Sequence, residues 1–254
     1  MQVKTLGAYA DKISVEPGDT IAIRVNCDEG GPDQFGATIV RLLSGDNQPA
    51  GPGYRDETVD LAANGRYPAR HQRIFPGSHG IAPHHAAFET LESFTVQILF
   101  WPTTPERPWK SIVSKFDEST EHGWGLFTNG DGHACFFIGD GNDHTTARVA
   151  APEPLIARQW YLLAGSYDAD TKELRIVQRM IQPHATLPER CEATADGSTV
   201  ASPHNHTAAF MAGAYNHRDN ITPWFPGGHV NGKLERPVVS HGLLGDDEVM
   251  ALTT

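Results

Sequence analysis

Between Ser93 and Ile181 seven apolar stretches follow one another, about a dozen residues apart: "SFTVQILFWPTT", "SIVSKF", "GWGLFTN", "HACFFIG", "TARVAA", "QWYLLAGSYD" and "ELRIVQRMI". They are rich in β-branched and aromatic residues, and Gly, Asp, Asn or Pro turn signals separate them. Many short strands with turns between them predict an all-β fold, an antiparallel β-sandwich. In "QWYLLAGSYD", Trp160, Leu162 and Ala164 alternate with Tyr161, Leu163 and Gly165. Such a strand, apolar on both faces, is buried between layers. Trp160 and Phe94 are therefore expected between the two sheets, with Trp124 as core and Cys135 as a buried strand residue. Asp168 to Thr171 is the expected turn into the next strand.

The rest of the chain is organised around this region. "ISVEPGDTIAIRVNCD" reads as two short strands about the turn Glu16-Pro17-Gly18-Asp19, and "ATIVRLLSG" as another strand. These place an N-terminal β extension at residues 1–65, packed onto a sandwich spanning 66–254. The extension is too small to bury much surface alone. Residues 182–205 are polar and read as a long surface loop. "TAAFMAGAYN" and "VNGKLERPVV" return to strand character. "GDDEVMAL" is the one convincing helix, with Asp246 or Asp247 as its cap.

Charge and cysteine usage bound the partners. The net charge of −11 opposes binding to nucleic acid, which needs a basic surface. No apolar run approaches the ~18 residues of a membrane span, and no export signal opens the chain. A cytoplasmic protein without membrane contact is expected. Cys27, Cys135 and Cys191 lack zinc-site spacing and read as three reduced thiols. The Asn-x-Thr triplets at Asn205 and Asn220 are then chance matches.

Residues able to do chemistry are present but scattered. No nucleophile elbow, H-E-x-x-H or phosphate loop occurs. Asp140 and Asp143 in "GDGND", with Asp131, offer the oxygen ligands of calcium, although Gly and Asp also serve a plain hairpin turn. His204 and His206 share a face if extended and would reach one metal, although the surrounding segment reads as solvated loop. Trp101, Trp109 and Trp224 lie beside prolines, as exposed anchors for a ligand or as caps on the core. No catalytic residue is assigned.

Two sets of motifs carry a resemblance. "LESFTVQILFWPTT", "WKSIVSKFD", "GWGLFTNGDGHACFFIGDG", "ARQWYLLAGSYDADTKELRI" and "HVNGKLERPVVSHGLLGDDEV" resemble, in order, a laminin-G-like, concanavalin A-like jelly roll over about residues 66–252. "GAYADKISVEPGDTIAIRVNC" and "TIVRLLSGDNQPAGPGYRDE" resemble the start of the N,N-dimethylformamidase large subunit, where Pro49-Ala50-Gly51-Pro52-Gly53 falls at the family's offsets. The second resemblance covers the whole chain. It implies a hydrolase acting on small amides, with iron held in an amidotransferase-like C-terminal domain beyond Thr254, and no residue here matches the iron ligands. The implied role is an accessory, subunit-contact domain in an oligomer. Its partners are that catalytic domain or other subunits, and it is not catalytic alone. The alternative is a free carbohydrate- or ligand-binding lectin-like module.

Overall fold

A computed structural model describes residues 6–28, 31–71, 77–142, 144–205, 207–218 and 224–253. The chain divides into two compact units, residues 1–74 and 75–254.

The N-terminal unit holds six strands: β1 (Leu6–Ala10), β2 (Ile23–Cys27), β3 (Gln34–Ala37), β4 (Val40–Gly45), β5 (Tyr54–Thr58) and β6 (Gly65–Pro68). They pair as three separate two-stranded antiparallel sheets, β1–β2, β3–β6 and β4–β5. The turn at Glu16 to Asp19 forms as read, closed by Asp19 N–H donating to the Glu16 carbonyl, with Gly18 at φ 98°. The strand before it, however, is Leu6–Ala10 rather than Ile13–Val15. Among the described residues of this unit only Cys27 is buried.

The second unit is a sandwich. Its strands are β7 (Gly80–Ala82), β8 (Phe94–Pro102), β9 (Lys110–Asp117), β10 (His122–Thr128), β11 (Ala134–Asp140), β12 (Thr146–Ala150), β13 (Tyr161–Tyr167), β14 (Glu173–Met180), β15 (Arg190–Asp196), β16 (Phe210–Ala212), β17 (Tyr215–His217), β18 (Phe225–Gly227) and β19 (Gly232–His241). One sheet runs β12-β11-β10-β9-β16-β7, with β17 and β18 attached beside β9. The other runs β15-β14-β13-β8-β19. The seven stretches singled out in the sequence are β8 to β14, and every pairing among them is antiparallel.

Alternation assigns the faces. Phe94, Val96, Ile98 and Phe100 of β8 meet Trp124, Leu126, Phe136 and Ile138 in one core between the sheets. Trp124 is 1% exposed, and its ring centroid lies 4.9 Å from that of Phe94. Cys135 is buried, which pushes its thiol up to about 11. Trp160 corrects the expected strand alignment. It precedes β13 and is half-buried, while Tyr161, Leu163 and Tyr167 take the core face. Leu162 and Ala164 point outward, under a short helix, α1 (Asp246–Met250), whose Val249 joins their cluster. β13 is thus apolar on both faces because a helix covers the second one.

Two further corrections follow. The segment read as loop contains β15, whose Cys191, Ala193 and Ala195 pack on the core while Glu192 and Asp196 face out. The cap of α1 is Gly245, with its N–H donated to the Glu248 carboxylate. Asp246 instead accepts from Arg175 (2.8 Å) and Arg190 (3.0 Å), tying the helix to β14 and β15.

Candidate functional site

The outer face of the larger sheet carries a second aromatic cluster. Phe116 on β9, Phe127 on β10 and Phe137 on β11 all point away from the main core. Their centroids lie 5.1–5.9 Å apart, with ring planes 72–80° to one another. Trp109, just before β9, meets Phe127 and Phe137 edge to face at 5.9 and 5.8 Å, and Tyr215 on β17 stands across Phe116 at 89°. Together they line a pocket of about 160 Å³.

Glycines let these rings come so close. A Cβ on Gly228, itself at φ 57°, would come within 1.9 Å of the Tyr215 ring. One on Gly125 would meet Phe127 at 2.8 Å. The polar part of the pocket is acidic. Glu118 and Glu121 open the turn after β9, where Glu118 N–H donates to the Asn216 carbonyl at 2.9 Å. Glu118 contacts His217 Nδ1, and Glu121 meets His144 Nδ1 at 2.8 Å. Burial first, and the Glu118 charge second, push the Tyr215 phenol above its ordinary value.

Among the described residues, those expected from sequence do not converge. Trp109 is 38% exposed, lines this pocket, and receives the Arg148 guanidinium 5.5 Å from its ring centroid. Trp101 lies on β8 in the other sheet, half-buried, with Lys233 Nζ 4.7 Å from its ring centroid. Trp224 is exposed and donates its indole N–H to Asn216 Oδ1 at 2.5 Å. Asp131 sits with Asn129 and Arg148 in a neighbouring polar hollow. Asp140 accepts from the N–H groups of Asn142 (2.9 Å) and Ala201 (3.0 Å); burial opposes its charge, but these bonds hold its carboxyl below the usual range. That is turn and loop chemistry. His204 lies against the Phe94 ring at 6.3 Å. Asp143 and His206 lie outside the described residues, as does Asn220. Asn205 is buried and satisfies His122, Thr207 and Ala208, which makes it a structural residue.

The described residues do not fit an iron centre. The buried Tyr161 hydroxyl accepts from Ile156 N–H at 2.8 Å, and burial raises its phenol, as it does that of Tyr215. Among the described residues no three His, Cys, Asp or Glu side chains gather as a metal would require. Nor, among the described residues, is any helix long and apolar enough to cross a membrane.

Comparison with known proteins adds the following. No family model matches the chain. It is 33% identical over 254 residues to an N,N-dimethylformamidase beta subunit of Alcaligenes sp, covering 96% of this chain and 33% of that protein. It is 31% identical over 260 residues to the Paracoccus aminophilus N,N-dimethylformamidase beta subunit, covering 99% of this chain and 34% of the relative. The chain thus spans about a third of the length of these relatives. Both carry the designation beta subunit, which replaces the large-subunit label of the sequence reading. Among solved structures, a CBM40 module of Ruminococcus gnavus IT-sialidase aligns with TM-score 0.47 and 18% identity, covering 66% of this chain and 86% of that one. The LG1-3 region of the laminin alpha2 chain aligns with TM-score 0.46 and 12% identity, covering 92% and 48%.

Proposed function

We propose that this chain is an accessory, subunit-contact module of an amide hydrolase of the N,N-dimethylformamidase kind, and that the hydrolytic centre lies outside its 254 residues. The observation that carries this reading is the surface of the N-terminal unit. Thirteen of the eighteen exposed large hydrophobic side chains of the described residues belong to it, from Leu6 to Tyr67. They include Ile23 (60%), Leu42 (58%) and Leu43 (55%), and Ile23, Val25, Phe35 and Tyr67 line an open groove. Exposed apolar side chains concentrated in one unit, with Ile23 and Tyr67 among them on one groove, support a contact site there. The chain is similar along nearly all its length to beta subunits about three times longer. The remaining two thirds of such a subunit is therefore the partner to which this surface is assigned.

A hybrid tests the assignment. The matching third of the Alcaligenes beta subunit is replaced by this chain and produced with that enzyme's other subunits. The hybrid should assemble, by size-exclusion chromatography, and release dimethylamine from N,N-dimethylformamide. The chain alone, incubated with ferrous iron and desalted, should release none. A chain that by itself retains near one iron and hydrolyses the amide would overturn the accessory reading.

A further inference from the structure

We propose that the aromatic pocket on the outer face of the larger sheet binds a small methylated ammonium ion, a site independent of the subunit-contact role. Three features specify this class of ligand. First, ring faces carry negative charge density and attract cations, and they favour a poorly hydrated alkylammonium over a bare metal ion. Trp109 already shows this behaviour, because the Arg148 guanidinium lies 5.5 Å from its ring centroid. Secondly, among the described residues the only charged side chains lining the pocket are the carboxylates of Glu118 and Glu121. Their salt partners are histidines rather than lysine or arginine, so the acidic charge is not cancelled within each pair by a permanent cation. Arg218 is held at 2.7 Å by the buried Asp117, and Arg148 stands over the Trp109 ring rather than in an ion pair with Glu118 or Glu121. Thirdly, the volume of about 160 Å³ is well below the ~300 Å³ at which drug-sized sites begin, so only a compact head group enters.

The walls are also fixed before any ligand arrives. Gly228 seats the Tyr215 ring, and Gly139 admits the Glu121 carbonyl so closely that a Cβ there would come within 2.0 Å of it. A site built on strands and close backbone contacts loses little entropy on binding.

Choline chloride is the probe, and its neutral carbon analogue 3,3-dimethylbutan-1-ol is the control, with potassium chloride correcting for salt. Binding to the full chain is followed by the NMR shift of the Trp109 indole N–H, assigned by its loss in Trp109→Ala. Choline should give a saturable shift and bind roughly tenfold more tightly than the alcohol. Glu118→Gln, checked for an unchanged thermal melt, should weaken choline about threefold to tenfold and leave the alcohol unaffected. Equal binding of choline and alcohol would reduce the site to a plain apolar hollow and overturn the proposal. So would the absence of any saturable shift beyond the potassium chloride control. Because the choline–alcohol comparison uses the unaltered chain, it decides the matter even if a variant misfolds.

Discussion

Lys115 shows what one residue costs and contributes in this core. It lies on β9 and is 2% exposed. Its ammonium donates to the Ala208 carbonyl at 2.6 Å and stands 5.2 Å from the Phe88 ring centroid. These two contacts only partly replace water, and burial lowers its pKa from 10.5 to about 8. The sign follows directly: between pH 8 and 10.5 the unfolded chain binds the proton that the folded chain has released. Stability contributed at this position therefore rises with pH across that window, by an amount on the order of 3 kcal/mol. Urea denaturation of the wild type and of Lys115→Met from pH 7 to 10.5 should show the difference moving in favour of the wild type as pH rises. A constant difference would show that Lys115 titrates normally. Nothing in "SIVSKF" announces this residue as buried, since a lysine in an alternating strand reads as solvent-facing. Trp160 is the converse case. Its place in a strand apolar on both faces suggested core, but it precedes the ladder, and Tyr161 takes the inward position.

At the scale of elements, strands with strong apolar character were legible and those defined by their partners were not. β8 to β14 each carry their own pattern. β15 alternates Cys191, Ala193 and Ala195 with polar residues, and these small side chains give little hydrophobic contrast although they pack on the core. "TAAFMAGAYN" did carry strand character, but as one stretch; the structure divides it into β16 and β17, which with β18 span three residues each and pair with β7, β9 and one another. The aromatic pocket was half legible. Trp109 was singled out, whereas Phe116, Phe127 and Phe137 look like ordinary strand residues until the topology places three strands side by side. One position tests the packing of the two sheets. Gly165 on β13 faces β11 so closely that a Cβ would lie 2.3 Å from the Phe136 ring. Gly165→Ala should destabilise the fold by about 1–3 kcal/mol, read as a lower urea midpoint at unchanged slope. An unaltered midpoint would mean that the sheets are not in contact there. The ion cluster on α1 gives a second test. Arg175 hydrogen-bonds the carboxylates of Glu192 and Asp246 and holds both below their usual range. Their stabilisation is present at neutral pH and is lost as pH falls below the ordinary carboxylate range. Asp246→Asn should therefore flatten the acid limb of the stability curve while changing little at high salt. An acid limb as steep as that of the wild type would assign the acid sensitivity to other groups.

At the scale of the whole molecule, the two units obey different thermodynamics. Residues 75–254 have a continuous core from Leu91 to Val200, enough to order two sheets. Among its described residues the N-terminal unit has three two-stranded sheets, one buried residue, and apolar side chains on its surface. Isolated two-stranded hairpins are marginal in water, and fixing each residue costs roughly 1–2 kcal/mol of backbone entropy. Cys27 alone does not offset that for some seventy residues. Order in this unit should therefore draw on burial against a surface outside it; the sequence expectation was the sandwich of residues 66–254, and the proposed accessory role supplies the rest of a longer subunit. Two fragments test the argument. Residues 75–254 alone should melt cooperatively, whereas residues 1–74 alone should show no cooperative melt and no strand signal by circular dichroism. Limited proteolysis of the intact chain should likewise yield no stable N-terminal piece. An early cut near Asn64 that left two folded fragments would mean that the small two-stranded sheets hold themselves together, and the exposed apolar side chains would then require a different explanation.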